Sequence, residues 1–186
     1  MLMVKDLSSN DVAPKIKDKV YSMDYKTKNQ IDGVKILTLK TFISEEGDFG
    51  EIIRLNYRGE FEDIPNFSVA QVNRTTLLPG SIKAWHLHFR QDEMWFVIPS
   101  GQVLVGLWDV RKNSRTTDAI MRVVLGGGHS KLLFIPKGVA HGSLNISSQS
   151  TELFYFVNKH FDANDSDEKR IPWDAKGKEF WKPQGD

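Results

Sequence analysis

The sequence predicts an all-β fold in which many short strands form a barrel or sandwich. From Gly33 onwards, short β-rich segments alternate with turns of glycine, proline, asparagine and acidic residues. The apolar residues show little of the period that amphipathic helices require. Two histidine segments, 83–88 and 136–142, lie about fifty residues apart. Paired segments of this kind are typical of a β-barrel that collects several imidazoles in one pocket, which favours an enzyme or a small-molecule binder.

The composition restricts the class of protein. With 186 residues, the chain is predicted to form one domain with a substantial core. Its 25 lysines and arginines against 24 acidic residues give a net charge of +1, which indicates neither nucleic acid nor a membrane surface as partner. The absence of cysteine excludes disulfides, thiolate metal sites and cysteine nucleophiles. Because no segment reaches the roughly 18 apolar residues of a membrane span, we expect a cytoplasmic protein.

The predicted elements follow one another with short connections. Residues 1–32 are polar and lysine-rich and are predicted to form an N-terminal arm, residues 33–160 the barrel, and residues 161–186 a C-terminal tail. In the tail, the charged residues 162–170 indicate a solvated turn, whereas Trp173, Phe180 and Trp181 are expected to pack back on the barrel, because an exposed aromatic patch is costly. Strands are predicted at residues 34–39, 51–56, 67–72, 81–88, 94–98, 102–108, 120–125, 131–135 and 152–157.

The first histidine segment places two imidazoles on one face of a strand. His86 and His88 share that face because side chains alternate along a strand. Trp85 and Phe89 occupy the opposite face. Since tryptophan also favours burial, either face could be the core.

The second histidine segment is predicted to be a turn that leads into a strand. Pro136 presets φ, Gly138 is free to adopt positive φ, and His141 follows in the next strand. The stretch from Pro136 to Asn145 is similar to the second motif of the cupin superfamily. The first cupin motif has counterparts in Gly80, His86, His88, Glu93 and Gly101.

These two motifs allow a metal site. His86, His88, His141 and the carboxylate of Glu93 would together suit iron, manganese, nickel or zinc. In this reading the cofactor is one divalent transition metal, and the protein is a metal-dependent oxygenase, isomerase or lyase. The reading requires Glu93 to point toward the histidines.

A more specific resemblance covers most of the chain. Segments in the same order and spacing occur in the dTDP-4-dehydrorhamnose 3,5-epimerase family, a metal-independent branch of the cupin fold, which this chain resembles as a divergent member. The resemblance implies a double-stranded β-helix, or jelly roll, without a cofactor. It also implies a homodimer in which N-terminal segments exchange or pair across the interface. The segments that carry it are residues 47–51, 71–73, 83–86, 135–142, 152–155 and 170–174.

The resemblance also implies roles for individual residues. A 3,5-epimerase removes protons next to the C4 ketone of a dTDP-4-keto-6-deoxyhexose and returns them on the other face of the ring, which requires a base and an acid. By resemblance, His86 is the base, Asp174 its carboxylate partner and Tyr155 the acid, and His141 lies beside the developing oxyanion. The residues expected to bind the sugar or the nucleotide are Glu51, Gln71, Asn73, Lys83 and His88.

The chain departs from the family pattern at several positions. Met94 aligns with a lysine that helps to stabilise the enolate, Phe156 with another lysine, and Phe161 with a tyrosine. Methionine cannot donate a hydrogen bond. These departures motivate a third reading, a cupin that binds a sugar nucleotide without catalysing a reaction.

Overall fold

Two five-stranded antiparallel sheets form the body of the protein. The computed structural model describes residues 6–22 and 30–184. One sheet has the strand order β1-β9-β6-β11-β4 and the other β12-β5-β10-β7-β8. The strands are β1 (Lys35–Thr38), β2 (Thr41–Ser44), β3 (Gly47–Gly50), β4 (Gln71–Leu77), β5 (Ile82–Leu87), β6 (Glu93–Val97), β7 (Gln102–Asp109), β8 (Ile120–Gly126), β9 (Lys131–Ile135), β10 (Val139–Asn145), β11 (Thr151–Val157) and β12 (Lys169–Arg170).

The two sheets face each other across the main core. Alternate residues of the strands in both sheets point inward, as the period of two requires, and they include Val97, Leu133 and Leu153 from one sheet and Val105 and Leu125 from the other. The predicted all-β jelly roll is therefore confirmed.

The outer face of the second sheet is covered by the C-terminal tail. Trp85 is fully buried, and its ring centroid lies 5.1 Å from that of Phe180 and 4.9 Å from that of Trp181. Gly106 on β7 permits this packing, because a Cβ atom there would lie 2.6 Å from the Phe180 ring. The expectation that the tail packs on the barrel is confirmed. It follows that Trp85 on β5 points outward, under the tail, whereas His86 on β5 and His88 just after its end point inward.

One predicted strand is absent. Residues 51–56 form an extended connection whose backbone pairs with a neighbour only through the isolated bridge between Leu55 and Phe61. A segment rich in β-forming residues becomes a strand only where it can pair with the edge of a sheet, and residues 51–56 do not pair with either five-stranded sheet. Instead, the hairpin of β2 and β3, which the sequence did not predict, precedes it.

The described part of the N-terminal arm contains only short helical turns. A 3₁₀ turn at Ser9–Asp11 is followed by the four-residue helix α1 at Pro14–Lys17, and no residue of either is buried. The remainder of the predicted arm lies partly outside the described residues. Within residues 6–22 and 30–184, no helix is both long and apolar enough to cross a membrane.

Candidate active site

A cavity of about 1330 Å³ lies between the two sheets. Strands β6 and β11 of the first sheet contribute Glu93 and Tyr155 to its wall, and β5 and β10 of the second contribute His86 and His141. Because the sheets face each other, side chains from distant segments meet in this space. The predicted site residues that line it are His86, His88, His141, Tyr155, Gln71, Asn73 and Lys83.

Two predicted site residues lie elsewhere. Glu51 is exposed beyond β3, where its carboxylate pairs with Arg54 at 2.7 Å. Asp174 is exposed in the turn formed by residues 173–176. The carboxylate next to His86 belongs to Glu168 rather than to Asp174, because β12 pairs with β5 and brings the residues that precede this turn against His86.

His86 is held as a neutral imidazole with a directed lone pair. Its Nε2 lies 2.7 Å from Arg170 Nη1, and its Nδ1 lies 3.2 Å from Glu168 Oε1. Since a guanidinium can only donate, Nε2 accepts and Nδ1 carries the proton toward Glu168. Burial, followed by the nearby charges of His141 and Arg170, lowers the pKa of His86 to about 3. This is the arrangement of a base whose ring is oriented by a carboxylate.

The pKa of His88 is shifted in the opposite direction. Its Nδ1 donates to the carbonyl oxygen of Asp167 at 3.1 Å, and its Nε2 lies 3.0 Å from Glu93 Oε1. Burial by itself lowers the pKa of His88, but the hydrogen bond and the charge of Glu93 outweigh it, so that the pKa is raised. His88 is therefore suited to be an imidazolium that donates from both nitrogens.

Glu93 is a buried carboxylate surrounded by donors. It accepts hydrogen bonds from Gln91 Nε2 at 2.7 Å and from Trp95 Nε1 at 2.6 Å, in addition to His88. Burial favours the neutral acid, but the charges of His141 and His88 and the Trp95 hydrogen bond outweigh it and hold the pKa of Glu93 at about 2. The group is ionised and stabilises the imidazoles on the opposite sheet.

His141 packs between the other two imidazoles. Its ring lies parallel to that of His86, with centroids 5.9 Å apart and 7° between the planes. Nδ1 lies 3.0 Å from the carbonyl oxygen of Val139 and Nε2 lies 3.4 Å from Glu93 Oε2. Burial lowers the pKa of His141. Both nitrogens face groups of the protein, so His141 lines the site without presenting a free donor to the cavity.

The opposite wall is polar and carries Tyr155. Burial, followed by the charges of Glu93 and Glu168, raises the pKa of Tyr155, so its phenol keeps its proton. On the neighbouring strand β4, Gln71 Nε2 donates to Asn73 Oδ1 at 2.7 Å. This wall offers a proton donor and amide groups to a ligand.

The charged segment 162–170 is part of the site, not merely a solvated turn. The Asp167 carboxylate accepts the backbone N–H groups of Phe89, Arg90 and Gln91 at 2.7–3.1 Å, which fastens the tail to the loop after β5. Glu168 and Arg170 then reach His86. Sequence reasoning missed them. The available signal was their spacing of two, which puts opposite charges on one face of an extended segment.

Met94 and Phe156, which depart from the family pattern, lie outside the cavity. Both side chains pack in the hydrophobic cluster of Phe61, Ile64 and Phe67. Their neighbours Glu93 and Tyr155 face inward instead. The two substitutions therefore remove no polar group from the site, and the reason for a reading without catalysis disappears. Phe161 does line the cavity.

Three of the four residues in the metal reading converge. Ligand atoms of His88, Glu93 and His141 lie within 4.8 Å of one another, so these residues could hold a divalent ion. His86 does not complete the set, because its nitrogens face Glu168 and Arg170 and the guanidinium charge opposes a cation there. The carboxylate of Glu93 is also fully hydrogen-bonded without an ion.

The chain is similar in sequence to a known family and to two characterised proteins. The family described as dTDP-4-dehydrorhamnose 3,5-epimerase matches residues 28–180. The spore coat polysaccharide biosynthesis protein SpsL of Bacillus subtilis (strain 168) is 36% identical over 144 residues, which are 77% of this chain and 91% of that protein. The probable low-salt glycan biosynthesis epimerase Agl13 of Haloferax volcanii is 29% identical over 144 residues, 77% of this chain and 89% of that protein.

A solved structure agrees with these matches. The dTDP-6-deoxy-D-glucose-3,5-epimerase of Legionella pneumophila Philadelphia 1, in complex with dTDP-4-keto-L-rhamnose, has a TM-score of 0.66 and 26% identity, over 77% of this chain and 74% of that one. This chain belongs to the dTDP-4-dehydrorhamnose 3,5-epimerase family. It is a carbohydrate epimerase with the cupin jelly roll, of the kind that acts on nucleotide sugars in polysaccharide biosynthesis. The epimerases of this family need no cofactor.

Proposed function

We propose that this epimerase removes protons next to the C4 ketone of a dTDP-4-keto-6-deoxyhexose, with His86 as base and Tyr155 as acid. The supporting observation is that these two side chains enter one cavity from opposite sheets. Inverting a carbon centre requires a proton to leave on one face and another to arrive on the opposite face. The neutral His86 and the protonated Tyr155 have the states that these roles demand.

The cavity suits a sugar nucleotide. Its volume of about 1330 Å³ exceeds what a single sugar fills. Lys83, Lys137 and Lys159 line it and complement a diphosphate, while Gln71 and Asn73 offer hydrogen bonds to a sugar or a base. The Legionella pneumophila relative was crystallised with dTDP-4-keto-L-rhamnose, which supports a substrate of the same class.

The test is proton exchange. The protein is incubated with dTDP-4-keto-6-deoxyglucose in deuterated water, and the C3 and C5 proton signals are followed by NMR. We expect at least one signal to disappear, at a rate that falls by about 10²–10⁴-fold in His86→Ala and Tyr155→Phe. His129→Ala, which removes an exposed imidazole, serves as the matched control. Absence of exchange in the wild-type protein would refute the proposal.

The same assay separates the metal reading from this one. Exchange should continue after dialysis against EDTA, because His86 and Tyr155 transfer protons without the help of a metal ion. Loss of exchange with EDTA, reversed by zinc or manganese, would instead support an ion held by His88, Glu93 and His141.

We further propose a homodimer in which the hairpin of β2 and β3 packs against a second copy. Phe42 and Phe49 stack at 6.5 Å across this hairpin, and Ile43 is 88% exposed. Such an apolar patch is costly in water. Glu51 follows the hairpin directly, so any contact it makes with substrate depends on this association. Light scattering should give a dimer for the wild-type protein and a monomer for Phe42→Ser/Phe49→Ser. A monomeric wild-type protein would refute the dimer.

A further inference from the structure

We propose that Arg170 is a catalytic residue whose guanidinium leaves His86 when substrate binds and donates hydrogen bonds to the enolate oxygen. The inference rests on the proposed function. Arg170 lies directly opposite His86 in the pairing of β12 with β5. Residues opposite each other in antiparallel strands project to the same face, so both side chains enter the cavity. The 2.7 Å hydrogen bond between Arg170 Nη1 and His86 Nε2 places the guanidinium beside the atom that removes the proton.

Three other groups of the cavity that can carry positive charge already have hydrogen-bond partners within the protein, and none of these partners is His86. Lys83 Nζ donates to Thr75 Oγ1 at 2.5 Å, and Arg90 pairs with Asp165 at 2.6 Å. His88 uses both nitrogens within the protein. Among the lining residues in the described part of the chain, Arg170 is the one lysine or arginine hydrogen-bonded to His86. An enolate formed by His86 therefore finds its nearest strong donor in Arg170.

The position of the ketone oxygen relative to Arg170 follows from the bonding within the substrate. The carbon that loses its proton must approach His86 Nε2, which Arg170 now occupies. The ketone oxygen is attached to the adjacent carbon, so it enters the space next to Nε2. Arg170 has five N–H donors, and 55% of its side chain is exposed. It can turn from Nε2 to that oxygen while it keeps its ion pair with Glu168.

The step conserves atoms and charge. The C–H electron pair forms a C=C bond, the carbonyl π pair moves onto oxygen, and the proton goes to His86 Nε2. The negative oxygen is then stabilised by the positive guanidinium in a partly buried site, where such hydrogen bonds are strongest. When the ketone re-forms, the same carbon takes a proton from Tyr155 on the other face. Tyr155 and His86 afterwards exchange protons with water.

The experiment measures kcat and KM for the NMR exchange reaction in Arg170→Gln. We expect kcat to fall about 10²–10³-fold, as when an oxyanion donor is removed, with KM within about threefold of wild type. Lys169→Gln is the matched control, because it removes the same charge from the neighbouring residue of β12, whose side chain projects to the other face. Guanidinium chloride should restore part of kcat to Arg170→Ala and none to His86→Ala.

The outcomes separate this inference from the proposed function. A raised KM with unchanged kcat would mean that Arg170 binds the diphosphate, and wild-type kcat would mean that it has no role; either result overturns the inference but leaves the roles of His86 and Tyr155 intact. An inactive wild-type protein overturns both. Binding of dTDP and thermal unfolding, measured in parallel, verify that Arg170→Gln is folded.

Discussion

Three histidines of one cavity differ in proton affinity because burial and neighbouring charges act on each of them to a different extent. Burial disfavours the charged form of His86, and the charges of His141 and of Arg170, which bonds to it, oppose a further positive charge. His88 meets the anion Glu93, which favours one. His141 is buried, and burial disfavours its charged form despite the same carboxylate. The pKa values of His86 and His88 are thus shifted in opposite directions within one cavity.

The buried ion pair of Glu93 and His88 is expected to be important for stability. Glu93→Gln would remove the buried negative charge that favours the protonated form of His88. Removing one partner of a buried pair typically costs about 3–5 kcal/mol in the free energy of unfolding. Urea denaturation measures this loss. Glu179→Gln, which breaks an exposed pair with Lys182, should change the free energy by less than about 1 kcal/mol. Equal losses in the two variants would contradict the prediction.

Acid should destabilise the fold through His86 and Glu93. Their folded-state pKa values of about 3 and about 2 lie below the ordinary 6.5 and 4.5. The unfolded chain therefore binds protons that the folded chain does not, and stability falls as the pH decreases below about 6.5, the ordinary pKa of histidine.

Urea denaturation at a series of pH values measures this slope. In His86→Gln, the slope between the ordinary and the folded-state pKa of His86 should decrease by up to about 1.4 kcal/mol per pH unit, the contribution of one proton. His129→Gln should keep the wild-type slope. An unchanged slope in His86→Gln would show that His86 titrates normally in the folded protein.

At the scale of elements, a strand of two residues determines the contents of the site. β12 contributes only Lys169 and Arg170, yet its pairing with β5 brings Glu168 and Arg170 to His86. So short a strand has little stability of its own. The carboxylate of Asp167, which binds three backbone N–H groups after β5, holds it in register.

Loss of the hydrogen bonds made by the Asp167 carboxylate should reduce activity more than stability. In Asp167→Ala the tail segment would shift, and a displacement of about 1 Å at a catalytic group can cost about 10²-fold in rate. We expect a fall in kcat together with faster hydrogen exchange at residues 165–170. Asp165→Ala, which removes an exposed carboxylate bound to Arg90, should have a smaller effect on both. Wild-type kcat in Asp167→Ala would show that the tail is held by other contacts.

At the scale of the whole molecule, the C-terminal tail connects the packing on the outer face of the second sheet with the site on its inner face. Phe180 and Trp181 cover the second sheet, and a Cβ atom at Gly106 would lie 2.6 and 2.8 Å from their rings. The same tail carries β12. Displacing the aromatic residues should therefore disturb stability and catalysis together.

Gly106→Val tests this connection. Overpacking of a tight core contact typically costs about 1–3 kcal/mol, and we expect kcat to fall as well. In a Phe180→Ala background the same substitution should cost less, with a coupling of at least about 0.5 kcal/mol in a double-mutant cycle. Additive effects would show that Gly106 and Phe180 do not interact.

Local patterns in the sequence predicted a large part of the site. The alternation of His86 and His88, the turn before His141, and the family segments around Tyr155 each depend on neighbouring residues. These four side chains do line one cavity. Glu51 and Asp174 do not, because their placement depends on how the hairpin and the tail meet other segments, which no local pattern records.

The sequence by itself determined the all-β class, the shared face of His86 and His88, and the family. These properties follow from strand periodicity, turn residues and the order of short motifs. Only the tertiary structure decided that this face is internal. It also decided that the partners of His86 are Glu168 and Arg170, of which Arg170 lies 84 positions further along the chain. Proton affinity depends on burial and on distances between charges, and both are set by the long-range pairing of strands.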